Sequence, residues 1–406
     1  MKKVLIINTT LNKGGAARVA RDIFENLSSN FDIFFAYGRN SVNDVPKTFY
    51  FGNKIEMFIH IFLVRFLGLE GYGSYFSTKK LINFIKRGNF DLINLHNLHG
   101  YYVNFFTLLN FLKESNIPII YSLHDEWPIT WMPAHSLGCS HCKTGLGKCN
   151  NTYNYPKNFF PFFEKHMLIK KRNIFLNQKH FSITCPSIWL KDNIEQSFLN
   201  KYKVETIHNG IDTNLFKPTS NKTELRLKHN LPTDKKIILF SASNLKDKSK
   251  GVKYILEAAE LLKERDYYFI GIGNGKVSET NNLKIFKYVY DKQKMSELYS
   301  LSDAFCFASA AETFLLSAAE ALSCGTPVVG FDIPVVRELI NNDVGILTKN
   351  NSDSLAEAIN ILMHNEDIQH KMGQYGRILI KEHYSKDIFY KHYLNLYNEI
   401  LNKNND

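Results

Sequence analysis

Nowhere does this chain of 406 residues offer the unbroken apolar stretch that a membrane-crossing helix requires, roughly 18 residues. The opening run Met1-Lys2-Lys3-Val4-Leu5-Ile6-Ile7-Asn8 turns polar after four apolar residues, too early for the core of a signal peptide. A cytoplasmic location is the resulting expectation. Cysteine is scarce, with six in all, and in that compartment so few argue against a disulfide framework. No repeat at a solenoid period is present. No Asp-x-Asp motif stands at the end of a strand-like run, so no catalytic metal is expected.

What the chain does have is length and alternation. It exceeds the size at which one hydrophobic core stops growing, so two domains are the default. Val4–Thr10 reads as a strand, Lys13-Gly14-Gly15 as a loop and Ala16–Leu27 as a helix. Further strands are expected over Asp32–Tyr37, Asp91–Leu95, Pro118–Leu123, Phe181–Cys185 and Lys203–Ile207. The pattern restarts with Ile237–Ser241, Tyr267–Ile272, Ala304–Ala308 and Pro327–Phe331, separated by helical stretches. Short strands alternating with helices predict α/β architecture with parallel, doubly wound sheets. Pro218, Asn221, Pro232 and Asp234 mark a connector between the halves. The boundary is placed near Lys217, giving domains over 1–217 and 218–384 and a tyrosine-rich closing helix over 385–406 that would pack back on the seam between them.

The formal net charge is +11, which invites a nucleic-acid or membrane-surface reading. Part of it is concentrated: Lys157, Lys165, Lys170, Lys171, Arg172 and Lys179 interleave with Phe159, Phe160, Phe162, Phe163 and Phe175 against the single acid Glu164. A second aromatic stretch runs through Phe49, Phe51, Phe58, Phe62 and Phe66. Basic residues alternating with aromatics suit an anionic membrane surface; a solvated basic face over an ordinary core is the plain alternative.

The run from Ser309 to Leu322 carries the sharpest chemical signal. A strand ends in small residues and a helix is expected to follow over Phe314–Leu322, with Glu312 and Glu320 eight positions apart. Eight helical residues rise about 12 Å, comparable to the span from a hexose to the ribose of a nucleotide sugar. The amides of Thr313, Phe314, Leu315 and Leu316 would then form a helix N-terminus suited to a diphosphate. Glutamates facing water are the plain alternative.

The whole run to Cys324-Gly325-Thr326-Pro327-Val328-Val329-Gly330 resembles the signature of the retaining glycosyltransferases of family 4. Asn209-Gly210-Ile211-Asp212-Thr213-Asn214-Leu215-Phe216-Lys217-Pro218 resembles that family's interdomain signature. Ser249-Lys250-Gly251-Val252 is similar to its Lys-Gly element and Gly271-Ile272-Gly273-Asn274-Gly275 to its Gly-x-Gly turn. The resemblance implies the GT-B architecture, two Rossmann-like domains facing across a cleft. It also implies transfer of a sugar from a UDP- or GDP-sugar, with retention, to a saccharide or lipid-linked oligosaccharide acceptor in bacterial surface polysaccharide synthesis. The N-terminal domain would take the acceptor and the C-terminal domain the donor.

The same resemblance assigns roles. Glu312 would meet the transferred sugar, Glu320 the ribose, and Lys250 the diphosphate, where negative charge builds on the leaving nucleotide. An arginine common a few residues earlier is replaced here by Asn244 and Lys246, so Lys246 or Lys248 would supply a second phosphate contact. Gly14 and Gly15 would let backbone approach a ligand closely. His124, followed by Asp125, would hydrogen-bond the sugar or accept a proton, with His96 and His99 as weaker candidates on the acceptor side. No cofactor beyond the nucleotide-sugar substrate is implied. Cys139, Cys142 and Cys149 with His135 have a composition that could hold zinc; reduced buried thiols are the alternative.

Two other classes compete. A nicotinamide-dependent dehydrogenase would share the architecture, but Gly271, Gly273 and Gly275 do not give the G-x-G-x-x-G spacing. A nucleic-acid-binding protein would use the positive charge but would leave Glu312 and Glu320 idle.

Overall fold

The apolar runs become two parallel sheets. The computed structural model describes residues 1–42, 45–136, 139–146, 158–160 and 162–403. They divide into two compact units, Met1–His208 with Tyr390–Asp406, and Asn209–Phe389.

The first unit holds β1 (Lys3–Thr10), β2 (Asp32–Arg39), β3 (Thr48–Tyr50), β4 (Leu92–Leu95), β5 (Ile119–Ser122), β6 (Phe181–Cys185) and β7 (Lys203–Thr206) in the order β3-β2-β1-β4-β5-β6-β7. Every pairing is parallel. Residues 4–7 of β1 and all of β4 and β5 are buried on both faces, which is why they read as continuous apolar runs rather than alternating ones. The Lys386–Lys403 helix turns Tyr393 and Tyr397 toward this sheet. Tyr393 donates to Ser122 Oγ at 3.0 Å, and Asn94 donates to the Tyr397 hydroxyl at 2.7 Å.

The second unit holds β8 (Lys236–Asn244), β9 (Tyr267–Asn274), β10 (Leu283–Phe286), β11 (Ala304–Phe307), β12 (Val328–Phe331) and β13 (Gly345–Thr348) in the order β10-β9-β8-β11-β12-β13, again all parallel. The family-like segment Asn209–Pro218 is tied down inside this unit. Arg377 donates to the carbonyls of Phe216 and Thr213 at 2.6 and 2.8 Å, and Ile211 bridges to Ser385.

Two sequence expectations change here. The helix after β11 begins at Leu316, not Phe314. Glu312 to Leu315 form a loop, because Ala310 N–H is held by the Ser249 carbonyl at 2.8 Å and Glu312 by Lys250. The 12 Å helical rise between the two glutamates therefore does not apply. The second change concerns the basic stretch. Lys171 and Phe175 are fully buried within the Glu164–Leu176 helix, so only part of that segment is surface.

Candidate active site

In each sheet the strand order reverses direction once, between β8 and β11 in the second unit and between β1 and β4 in the first. Loops leaving the carboxyl ends of strands diverge at such a point and open a crevice, the usual ligand position in α/β sheets. The sequence-predicted residues gather at these two places.

In the second unit, β8 leads into the turn Leu245–Asp247 and a short 3-10 segment, Lys248–Lys250. Asp247 accepts from the Ser249 amide at 2.9 Å and fixes that turn. Gly251 follows at φ +62°, in the left-handed region, and a Cβ there would overlap the Ala308 carbonyl. Glycine is thus what lets the β8 and β11 loops touch. The contact places Lys250 Nζ 2.6 Å from Glu312 Oε1, with the carboxylate only 14% exposed. Lys246 and Lys248 stand exposed on the same turn.

Glu320 lies on the Leu316–Ser323 helix and is 6% exposed. Tyr299 donates its hydroxyl to Glu320 Oε2 at 3.2 Å. Burial, then the Glu320 charge, pushes the Tyr299 phenol well above its ordinary value, so it stays a donor. Leu315 is the helix N-cap, and the Leu316 amide is taken by the Phe314 carbonyl at 3.1 Å. Thr313 and Phe314 belong to the loop, where the Phe314 ring packs on Tyr384 at 5.8 Å. The amides expected to line a first helical turn instead run through the loop that carries Glu312. The positive end of the helix dipole sits one residue or more beyond it.

In the first unit, the loop that leaves β1 ends at Gly14, which caps the Gly15–Asn26 helix at φ +92°. A Cβ there would meet nothing within 4 Å, so the requirement for glycine is conformational rather than steric. His96 follows the end of β4, and His124 stands two residues past the end of β5. Their rings lie near parallel, 18° apart with centroids at 5.1 Å, and meet edge to edge with His96 Nδ1 2.8 Å from His124 Nε2. Burial, with help from the neighbouring His99 charge, lowers the His124 pKa to about 4. His99 behaves in the opposite way. Burial disfavours its charge, but Asp125 at 2.7 Å overrides this and leaves its pKa raised. Asp125 is correspondingly lowered despite burial.

Sequence reasoning missed what lies beneath this pair. Trp127 Nε1 donates to Glu70 Oε2 at 2.7 Å, and the ammonium of Lys171 lies 3.4 Å from the same oxygen and 3.6 Å from the centre of a Trp127 ring. Burial drives the Lys171 pKa down to about 8. Lys171 sits in a run of three basic residues that reads as surface, and Glu70 in a turn between helices. The nearest sequence signal was the aromatic residue shortly after His124-Asp125.

Cys142 packs in an apolar cluster with Val64, Trp131, Met132 and Leu168, with Cys139 against it. Among the described residues no three His, Cys, Asp or Glu side chains are grouped to hold a metal; Cys149 lies outside them, as does Lys157.

Comparison with known proteins places this geometry. The family described as Glycosyltransferase Family 4 matches residues 13–215, and Glycosyl transferases group 1 matches residues 221–379. WcaC of Escherichia coli (strain K12), named for a colanic acid biosynthesis glycosyl transferase, is 24% identical over 84% of this chain and 86% of its own length. A Campylobacter jejuni protein named as an N,N'-diacetylbacillosaminyl-diphospho-undecaprenol alpha-1,3-N-acetylgalactosaminyltransferase is 30% identical over 47% of this chain and 53% of its own. Among solved structures, sucrose-phosphate synthase from Thermosynechococcus elongatus superposes with a TM-score of 0.74 at 14% identity, covering 99% of this chain and 100% of that one. Anabaena Alr3699/HepE in complex with UDP gives 0.71 at 15% identity, over 98% and 100%. At such identities the likeness is one of fold, the GT-B fold of two parallel-sheet domains. The dehydrogenase and nucleic-acid readings find no support in these relatives.

Proposed function

The chain belongs to glycosyltransferase family 4, and from that premise we propose that it moves a sugar from a UDP- or GDP-sugar to a saccharide hydroxyl with retention of configuration. The observation that carries this reading is the Lys250–Glu312 contact at the β8–β11 switch point, with the buried Glu320 further along the same segment. Lys250 answers the diphosphate, aided by Lys246 or Lys248. Glu312 meets the transferred sugar. Glu320, steadied by Tyr299, accepts from ribose hydroxyls. The loop amides of Thr313, Phe314, Leu315 and Leu316 line the phosphate path, and Gly14, Gly15 and His124 serve the acceptor side.

The bond from the anomeric carbon to the phosphate oxygen breaks as one to the acceptor oxygen forms on the same face. The acceptor proton passes to the departing diphosphate. Lys250 stabilises the charge that grows on that leaving group. The two-carboxylate geometry of glycosidases is not needed. No metal is assigned a step.

The relatives named for colanic acid and O-antigen synthesis, and the Campylobacter enzyme named for an undecaprenol-linked substrate, support a role in bacterial surface polysaccharide synthesis with a saccharide or lipid-linked acceptor. A cytoplasmic enzyme peripheral on an anionic membrane surface follows from that acceptor. Exposed Phe159, Phe160, Phe162 and Phe163, and the outward row Ile55, Phe58, Ile59, Phe62 and Phe66, suit such a surface.

A donor screen by nucleotide release, run over UDP- and GDP-sugars with a saccharide acceptor, tests the reading. Release from one of them that depends on acceptor supports it. Thermal stabilisation by NAD or DNA, with no response to UDP or GDP, would overturn it.

A further inference from the structure

We propose that His96 is a positioning residue that fixes the proton of His124 on Nδ1, making His124 a neutral hydrogen-bond donor rather than a base. The inference rests on the reading of His124 as a substrate-facing group and goes beyond it by assigning its tautomer and the residue that sets it.

The two histidines follow the carboxyl ends of the adjacent parallel strands β4 and β5, which brings their near-parallel rings edge to edge. At 2.8 Å between His96 Nδ1 and His124 Nε2 there is room for one proton. Two would collide, and none would set lone pair against lone pair. The direction of the bond is decided at the far side of His96. That ring is fully buried, and its Nε2 has no hydrogen-bond partner among the described residues. If His124 were the donor, His96 would carry its own proton on Nε2, a buried N–H with no acceptor. In the reverse arrangement His96 Nε2 presents only a lone pair. For buried groups the orphaned N–H is the rarer and less tolerated of the two. His96 Nδ1–H therefore donates to His124 Nε2, and the proton of His124 resides on Nδ1.

Burial opposes charging either ring. Burial and then the His124 charge hold His96 well below the ordinary imidazole value. For His124, burial dominates; His99 adds to it and Asp125 works against it. The Asp125 carboxylate is itself engaged by His99, and the Glu70–Lys171 pair lies behind. A neutral donor cannot take the acceptor proton, which agrees with its passage to the diphosphate.

Isotope-labelled histidine nitrogens in the intact protein report the tautomer directly by NMR. The expected spectrum has His124 protonated on Nδ1 and His96 on Nδ1. Kinetics give a second readout. His96→Asn keeps a donor near the Nδ1 position and retains acceptor kcat/KM within a few-fold. His96→Phe removes the donor, frees the tautomer, and raises acceptor KM roughly tenfold, the scale of one hydrogen bond, while donor KM is unchanged. His124→Asn, whose amide nitrogen stands near Nδ1, outperforms His124→Gln. A spectrum with His124 protonated on Nε2, or His96→Phe with wild-type acceptor KM, overturns the proposal while leaving His124 at the substrate. His124→Ala at wild-type rate removes the underlying reading and the proposal together. If His96→Phe does not fold, the wild-type spectrum and His96→Asn decide.

Discussion

Lys250 Nζ stands 2.6 Å from Glu312 Oε1, a link between loops that leave two neighbouring parallel strands, β8 and β11. It depends on Gly251, since any larger residue would push the loops apart at Ala308. Lys250→Ala is expected to cost about 2–4 kcal/mol of transition-state stabilisation, the scale of one preorganised donor at developing negative charge. Glu312→Gln should lower kcat more than it weakens donor binding. Steady-state kinetics on both variants test this. If Lys250→Ala loses less than about threefold in kcat over donor KM, the phosphate role passes to Lys246 or Lys248.

Glu320 is set up for binding rather than chemistry. It is buried, its partner Tyr299 is held as a phenol, and ribose contacts persist from ground state to transition state. Glu320→Ala should raise donor KM with kcat little changed, and Tyr299→Phe should do the same more weakly. Titration calorimetry with UDP and GDP separates this from a folding defect, because a misfolded second unit would bind neither. Unchanged nucleotide affinity in Glu320→Ala would remove the ribose assignment.

The His99–Asp125 pair makes a pH prediction whose sign can be worked out. His99 is raised above 6.5 in the folded protein, so its contribution is full below that value and is lost as pH rises through the folded pKa. Asp125 is lowered below 3.8, so its contribution is present above that value and lost as pH falls through the folded pKa. Stability from the pair therefore peaks between the two. Denaturant titrations from mildly acidic to mildly alkaline buffer should show it falling as His99 deprotonates. Asp125→Asn should flatten this fall, because burial of His99 then goes largely unopposed. Parallel slopes in the two proteins would show that the pair does not govern this range.

The alternation of strands and helices was legible because strands buried on both faces leave continuous apolar runs. Lys250, Glu312 and Glu320 stood out as candidates because they sit in segments whose spacing resembles the family's. Three things were not legible. The loop from Glu312 to Leu315 reads as helix, since its ties to Lys250 and to the Ser249 carbonyl are tertiary. Tyr299 is one tyrosine among many until the fold turns it toward Glu320. Lys171 reads as part of a basic surface between Lys170 and Arg172, yet it is held by Glu70 from about a hundred residues earlier and by the face of Trp127. Pairing across such separations leaves no periodicity to read.

That burial changes how membrane attachment should be tested. Reversing Lys170, Lys171 and Arg172 together would place a carboxylate at Lys171, against Glu70, and leave two like charges buried without compensation, which costs several kcal/mol. The surface offers better handles. The Lys54–Leu67 helix buries only His60 and Val64 among its described side chains and turns Ile55, Phe58, Ile59, Phe62 and Phe66 outward. Phe66 continues this row onto Phe159 at 5.5 Å. Lys54, Arg65, Lys79 and Lys165 are exposed around it. Glu70 is buried against Lys171, and Glu56 is the one acid of the Lys54–Leu67 helix, outnumbered by those cations. Each such cation near an anionic leaflet contributes about 1 kcal/mol, and the phenylalanines can enter the headgroup region. The protein is expected to float with vesicles containing anionic lipid at low salt, and to be released at high salt as the charges are screened. Phe58→Ser with Phe62→Ser, at positions 65% and 54% exposed, should weaken binding with little loss of stability. Lys54→Glu with Arg65→Glu should weaken it by charge alone, and UDP or GDP affinity should be unchanged in both. Wild-type protein that stays with the soluble fraction beside anionic vesicles at low salt would return this face to solvent.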